Sequence, residues 1–306
     1  MGKRIYNICL LLVLAGSTLY AQQNIPTNLY LVNPVIYNPA SASNIDGFAI
    51  YADYRHQWVG LKGAPEYFKF GAYGTFSQNM GLGINASGFK NGMLSNNELN
   101  LSFAYKINFS DNYYLSMGLS YGVYRFGINR KDFPVESSTD PTANSSLFDR
   151  TFFKTGFGLG LVAGNLQFDF AVPELSDQSK KTFFSSTYTY LSYDIRNLPG
   201  QWMLTPSAGY RRYYNTASYF DLGLTTSWQE TVWLQVGYRT GSNVFCSAGI
   251  SMERFIIAFS YEAPSTVLSS ISGGSNEISV VYRFIRFSKE NAAFSFIRPN
   301  GSRGKR

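Results

Sequence analysis

Cysteine is nearly missing from this chain: there are two among 306 residues, and Cys9 lies inside an apolar leader. With Cys246 alone beyond that leader, neither an intrachain disulfide nor a zinc site built from thiolates is possible. Histidine occurs once, at His56, which removes most metal centres and most general-base chemistry. The carboxylates are scattered over different segments, and no nucleophile elbow is expected. No catalytic residue, metal or cofactor is therefore assigned, and the chain is not expected to be an enzyme. Apolar runs of the about 18 residues needed for a membrane-crossing helix are absent as well. Charge is sparse, at 15% of residues against a usual proportion of about 25%.

What is abundant is aromatic and small: 25 Phe, 23 Tyr and 28 Gly. These residues are arranged with a period of two. From Phe48 to Trp58 the even positions are mostly apolar (Phe48, Ile50, Ala52, Tyr54) while the odd ones include Asp53, Arg55 and Gln57. Leu99, Leu101 and Phe103 alternate with Asn100, Ser102 and Ala104, and Phe255, Ile257 and Phe259 alternate with Arg254, Ala258 and Ser260. An extended chain with this pattern has one apolar and one wetter face. About fourteen such segments can be counted, near 48–58, 66–76, 80–88, 97–107, 113–126, 152–163, 165–172, 186–194, 201–211, 219–227, 232–240, 243–251, 254–262 and 276–284, an even number as closed bacterial barrels require. In 186–194 aromatic and hydroxyl residues alternate with no clean apolar side.

The connections point the same way. Taken alternately, one set is generally longer (Val59–Pro65, Phe89–Asn96, Gly127–Thr151, Pro173–Ser185, Ala263–Ser275) and the other tight (Ser77–Asn79, Gly164, Met252–Glu253). Sorting of loop length by parity is the mark of an outer-membrane barrel, with both termini on the periplasmic side. The expected class is all-β: a transmembrane outer-membrane β-barrel of about fourteen antiparallel strands.

Around this barrel the chain divides into a secretory signal peptide at 1–21, an irregular segment at 22–46, the barrel at 47–284, and a basic tail at 285–306. Pro26, Pro34 and Pro39 keep 22–46 from forming a strand. The formal charge of +7 belongs to the ends. Lys3 and Arg4 lie in the leader. Arg286, Lys289, Arg298, Arg303, Lys305 and Arg306 against Glu290 give the tail +5, leaving residues 22–284 neutral. No nucleic-acid-binding face is expected. Arg286, Lys289 and Arg298 are candidate contacts of the tail with a periplasmic partner.

Alternation places a set of charges inside: Asp53, Arg55, Lys69, Lys154, Asp169, Asp221, Arg239, Arg254, Glu277 and Arg283. Their mixed signs predict pairing across the lumen rather than a strongly ion-selective pore. His56 falls on the apolar side near a strand end, beside Trp58, where an interfacial aromatic girdle belongs.

Asn38-Pro39-Ala40, then Arg55-x-Gln57-Trp58-x-Gly60, then Gly63-Ala64-Pro65 follow one another in an order and spacing that resembles the PorP/SprF family, outer-membrane proteins of the type IX secretion system. Val172-Pro173-Glu174-Leu175, Gly237-Tyr238-Arg239-Thr240-Gly241 and Gly273-Gly274-Ser275-Asn276-Glu277-Ile278 extend the resemblance over nearly the whole mature chain. Two departures are the spacing from Phe183 to Gly200 and the tail beyond Phe284. The resemblance implies the outer membrane of a Gram-negative bacterium. It also implies a role in export or surface attachment of cargo proteins bearing C-terminal sorting domains, with other type IX secretion or gliding-motor proteins as partners. The irregular N-terminal piece looks like the hatch that plugs barrels of the fatty-acid-transporter type; an ordinary periplasmic lead-in is the alternative. Asn38, Pro39, Asp53, Arg55, Gln57 and Trp58 are the candidate hatch or partner contacts, with Arg55 and Gln57 expected against Asn38–Ala40. The competing function is a fatty-acid-transporter-like channel for small hydrophobic molecules.

Overall fold

The computed structural model describes residues 27–45, 47–128, 150–179, 182–196, 198–213, 218–240, 243–264 and 269–284. The leader and the tail, with Arg286, Lys289 and Arg298, lie outside the described residues. The strands are β1 Phe48–His56, β2 Glu66–Thr75, β3 Met80–Asn91, β4 Leu94–Ser110, β5 Tyr113–Ile128, β6 Arg150–Ala163, β7 Leu166–Asp177, β8 Thr182–Phe183, β9 Ser186–Tyr193, β10 Trp202–Tyr213, β11 Tyr219–Trp228, β12 Val232–Arg239, β13 Asn243–Ser251, β14 Phe255–Glu262 and β15 Ser275–Phe284. Each strand pairs antiparallel with its neighbours in sequence, except that β7 passes over the two-residue β8 to pair with β9. β1 pairs with β15, Phe48 opposite Phe284 and His56 opposite Asn276, and β6 pairs with β7. Fourteen strands thus close on themselves and leave no edge.

The period of two is expressed as expected. Leu99, Leu101 and Phe103 point out, between 42% and 54% exposed, while Ser102 and Ala104 next to them are buried inside. Phe255, Ile257 and Phe259 likewise point out against buried Ile256, Ala258 and Ser260. An apolar outer wall crossed by strands of this length is a lipid-facing wall.

Three boundaries differ from the sequence reading. β1 stops at His56 because Trp58 takes a left-handed conformation, φ 53°, in a turn whose Trp58 carbonyl accepts from the Leu61 amide. The supposed loop Phe89–Asn96 is mostly strand, reversed at Gly92-Met93, where Gly92 supplies φ 56°. β7 runs on through Val172-Pro173-Glu174-Leu175 as a bulge: Val172 faces Phe157 and Ser176 faces Thr155, so three residues oppose Gly156 alone. Proline fits there because a bulge spares it the ladder amide that it lacks.

The molecule's core lies within the barrel. Residues 27–45 run through the lumen as turns, including two short 3₁₀ turns, Pro34–Ile36 and Pro39–Ser43, each opened by a proline where no amide partner is needed. Leu29, Val32, Val35, Ala42 and Ile45 from this segment cluster with inward-facing Tyr51, Tyr73, Met203, Trp233, Ile256 and Val281.

Candidate functional site

The inner wall is sorted by height. Towards the end carrying the tight turns it is apolar, with Ala49, Tyr51, Tyr73, Met203, Trp233 and Ile256 all buried. Towards the long-loop end it is ionic. Asp221 on β11 accepts from Arg211 on β10 at 2.6 Å and from Arg239 on β12 at 2.8 and 3.1 Å. Arg239 reaches on to Glu262 of β14 at 3.0 Å, Glu262 accepts from Arg55 of β1 at 2.9 Å, and Arg55 also donates to Glu277 of β15 at 3.1 Å. Three cations and three anions on six strands thus form one continuous chain, each side chain no more than 5% exposed. Across the lumen Lys154 pairs with Glu98 at 2.7 Å, with Glu174 from the β7 bulge at 3.9 Å. Buried charges are tolerable only when matched in this way, since an unmatched one costs several kcal/mol, on the order of 3–5.

The N-terminal segment is fastened to both halves. The Thr27 carbonyl accepts from Arg211 at 3.2 Å and the Asn28 amide donates to Glu277 at 2.8 Å. The Asn33 side chain donates to Asp53 at 2.8 Å and to Ser279 at 3.0 Å. Lower down, Asn38 donates to Asp169 on β7 at 2.8 Å and to the Leu159 carbonyl on β6 at 2.8 Å, while its Oδ1 caps the following turn at the Ala40 amide. Pro39 and Ala40 can come this close because glycine lines the facing wall. A Cβ on Gly158 would overlap Asn38 and Pro39, and one on Gly118 would overlap the backbone of Pro39 and Ala40. At the tight-turn end Thr75 Oγ1 donates to the Ile45 carbonyl at 2.8 Å, just before the chain enters β1. The segment therefore descends the lumen from the long-loop end to the other.

Aromatic rings complete the seat. Tyr37 stacks on Tyr188 of β9 with centroids 5.1 Å apart, and Tyr30 meets Tyr190 edge-on at 5.5 Å. Arg211 lies over both Tyr30 and Tyr37, and Lys69 lies over Tyr37. The strand without a clean apolar side is explained: β9 turns its large tyrosines inward, onto the segment, and leaves Leu191 and Tyr193 to the lipid.

Of the site residues read from sequence, the structure brings Asp53, Arg55, Lys69, Asp221, Arg239 and Glu277 into the same inward-facing region, Lys69 in register opposite Asp53, with Asp169 buried elsewhere on the inner wall. Three readings are corrected. Arg55 and Gln57 do not meet Asn38–Ala40: they sit near the long-loop end, where Arg55 pairs with Glu262 and Glu277, whereas Asn38 binds Asp169 and Leu159 nearer the tight turns. Arg254 is not a lumen charge; it is exposed in the turn before β14, its carbonyl accepting from the Arg283 amide. Arg283 keeps the inward phase, in register opposite buried Ala49 on β1, and is partly buried towards the tight-turn end. Trp58 belongs to the rim turn, its amide donating to Ser275 at 3.3 Å. Arg211, Glu262 and Glu98 were missed. Glu262 continues the inward phase of Ala258 and Ser260, so alternation carried one step further finds it.

No cluster of three or more metal-ligating side chains occurs among the described residues. Gly118-Leu119-Ser120-Tyr121-Gly122 does have the spelling of a nucleophile elbow, contrary to expectation, but it lies in mid-strand of β5. An elbow needs a sharp strand-to-helix turn to expose its serine, and here strand continues on both sides.

A family model described as type IX secretion system membrane protein PorP/SprF matches residues 19–282. No curated protein matches the chain. Among solved structures, the CymD monoaromatic hydrocarbon channel superposes with TM-score 0.51 at 10% identity, over 83% of this chain and 93% of that one. Omp33, an outer membrane protein of Acinetobacter baumannii, gives 0.48 at 6% identity, over 79% and 100%. The Ralstonia pickettii toluene transporter TbuX gives 0.46 at 11%, over 84% and 94%. The first likeness is one of fold: an outer-membrane barrel.

Proposed function

Since this chain belongs to the PorP/SprF family of type IX secretion system membrane proteins, we propose that it assists export or surface attachment of cargo proteins as a barrel closed by its own residues 27–45, and that it catalyses no reaction. It is an outer-membrane component of that system. The observation that carries the reading is the lumen itself: a conduit for diffusing solute needs a continuous path, whereas here a six-member ionic chain, Asn33 and Asn38 fasten a segment of the same chain across the interior. A barrel filled in this way is suited to present its rims and loops to other proteins. Other type IX secretion or gliding-motor proteins and the secreted cargo are the partners that this role requires.

A second reading is supported by the apolar lower lumen. If the segment swings aside, Met203, Trp233 and Ile256 would line a path for small hydrophobic molecules, as in channels of the same fold. Seating on that side is also imperfect, because buried Thr225 Oγ1, Ser227 Oγ and Gln235 Nε2 have no hydrogen-bond partner among the described residues, each at a cost of about 1–3 kcal/mol. Deleting the gene and measuring secreted cargo and hydrophobic-solute uptake separates the two readings. Lost secretion with unchanged uptake supports the first, and the converse overturns it in favour of the second.

A further inference from the structure

The course of residues 27–45 bears on the two ends of the chain as well as on the lumen, and three levels mark it. The Asn28 amide meets Glu277 on the rung where Glu277 faces Arg55, two residues in from Ser275, where β15 leaves its long loop. The Asn33 side chain meets Asp53 and Ser279, the next inward rung down. At the foot the Ile45 carbonyl accepts from Thr75 Oγ1, and the Gly47 carbonyl accepts from the Thr75 amide at 2.9 Å, beside the tight turn Ser77–Asn79. Thr27 stands at the head. Its carbonyl accepts from Arg211, two residues short of the end of β10 at Tyr213. Its amide donates to the Tyr37 hydroxyl at 3.0 Å, so the Tyr37 side chain lies across the way back down. Two residues of strand, at about 3.3 Å each, leave about 7 Å between this point and the rim. With the leader cut after Ala21, residues 22–26 can span about 17 Å when extended, which is more than enough.

We propose that the amino end of the mature chain opens on the outer, long-loop face of the membrane, while the carboxyl side leaves from the periplasmic face. Long loops of such barrels point outward and tight turns point to the periplasm. An even number of strands puts both ends of the barrel itself on one side, and Phe48 opposite Phe284 at the tight-turn end follows that rule. Before Phe48, however, the chain passes through the lumen, and this extra crossing carries the amino end to the other side from the one that the strand count alone implies. The amino end thereby joins the surface offered to molecules outside the cell. A partner that grips it must be extracellular, and a periplasmic partner is left the tight turns and the chain beyond Phe284. This holds whether or not the barrel serves secretion.

Cysteine labelling of whole cells tests the assignment. In the full-length chain Cys246→Ser removes the one cysteine outside the leader. Single cysteines are then introduced as Asn24→Cys, as Lys62→Cys in the exposed turn after β1, and as Gln78→Cys in the exposed tight turn after β2. The probe is a maleimide carried on a polymer too large to pass the outer membrane, read as a gel shift before and after permeabilisation. The expected result is that Asn24→Cys shifts as fully in intact cells as in permeabilised ones, like Lys62→Cys, whereas Gln78→Cys shifts only after permeabilisation. Heat-modifiable migration shows that each variant has folded, and an epitope inserted after Asn24 and stained on intact cells repeats the measurement without a cysteine. A shift of Asn24→Cys only after permeabilisation, a shift in neither state, or an epitope that stains only permeabilised cells would each overturn the proposal.

Discussion

Two guanidiniums converge on Glu262 Oε2, from Arg55 at 2.9 Å and from Arg239 at 3.0 Å. Replacing Glu262 by Gln keeps the shape and removes the charge, leaving two buried cations with a weaker acceptor; folded stability should fall by about 3–5 kcal/mol. Urea titration of the barrel in lipid vesicles measures this, with exposed Glu253→Gln as a silent control; a loss equal to that of the control would show that the chain of charges does not hold the wall. On the outside, Leu101→Arg puts a cation into hydrocarbon and should cost about 2–4 kcal/mol if near the midplane, read in the same assay. Alternation by itself puts Ser102 on the wetter face, where a cation would be expected to be tolerated. The filled lumen removes that tolerance, since Ser102 is 5% exposed and faces the packed interior. The sign of a residue's face was thus legible in the sequence, but what that face meets was not. Arg254 shows the other limit: it shares the phase of Ala258 yet lies one residue outside the strand, where phase has no meaning.

At the level of elements, thirteen of the spanning strands could be read because one face is apolar, and β9 was harder because its large residues serve the interior. Tyr188 and Tyr190 look like lipid-facing aromatics until Tyr37 and Tyr30 are seen against them. The N-terminal segment could be recognised as irregular from its prolines, but its direction could not, because nothing local records that Asn28 meets a glutamate 249 positions away. That direction makes a sharp prediction. Cysteines at Asn33 and Ser279, whose side chains now share a 3.0 Å hydrogen bond, should crosslink in intact membranes. Cysteines at Ser41 and Gln57 should not, since Ser41 lies in the turn beside Gly81 and Gly118 while Gln57 lies at the opposite rim. The reverse pattern of crosslinks would reject the descent described above. The Gly158 wall offers a second check: Gly158→Val should leave β6 intact but unseat Asn38, so limited proteolysis would cut within residues 27–45 of the variant and spare the wild type.

The whole molecule behaves as a closed ring around its own leading segment. In planar bilayers the wild type should be nearly silent, and a chain lacking residues 27–45, if it inserts, should conduct; equal conductance from both would mean that the segment does not obstruct the lumen. The contacts of Asn28 and Asn33 carry a further consequence, because they fall on β1 and β15, the first and last strands made. A chain does not readily thread a ring that has already shut. The leading residues must therefore be laid inside while the curved sheet is still open between its two ends, and Glu277 and Ser279 can find Asn28 and Asn33 only as the final strand arrives. Sealing of the seam and seating of the segment are then one event in biogenesis, and an error in either leaves an open sheet whose unpaired edges invite aggregation.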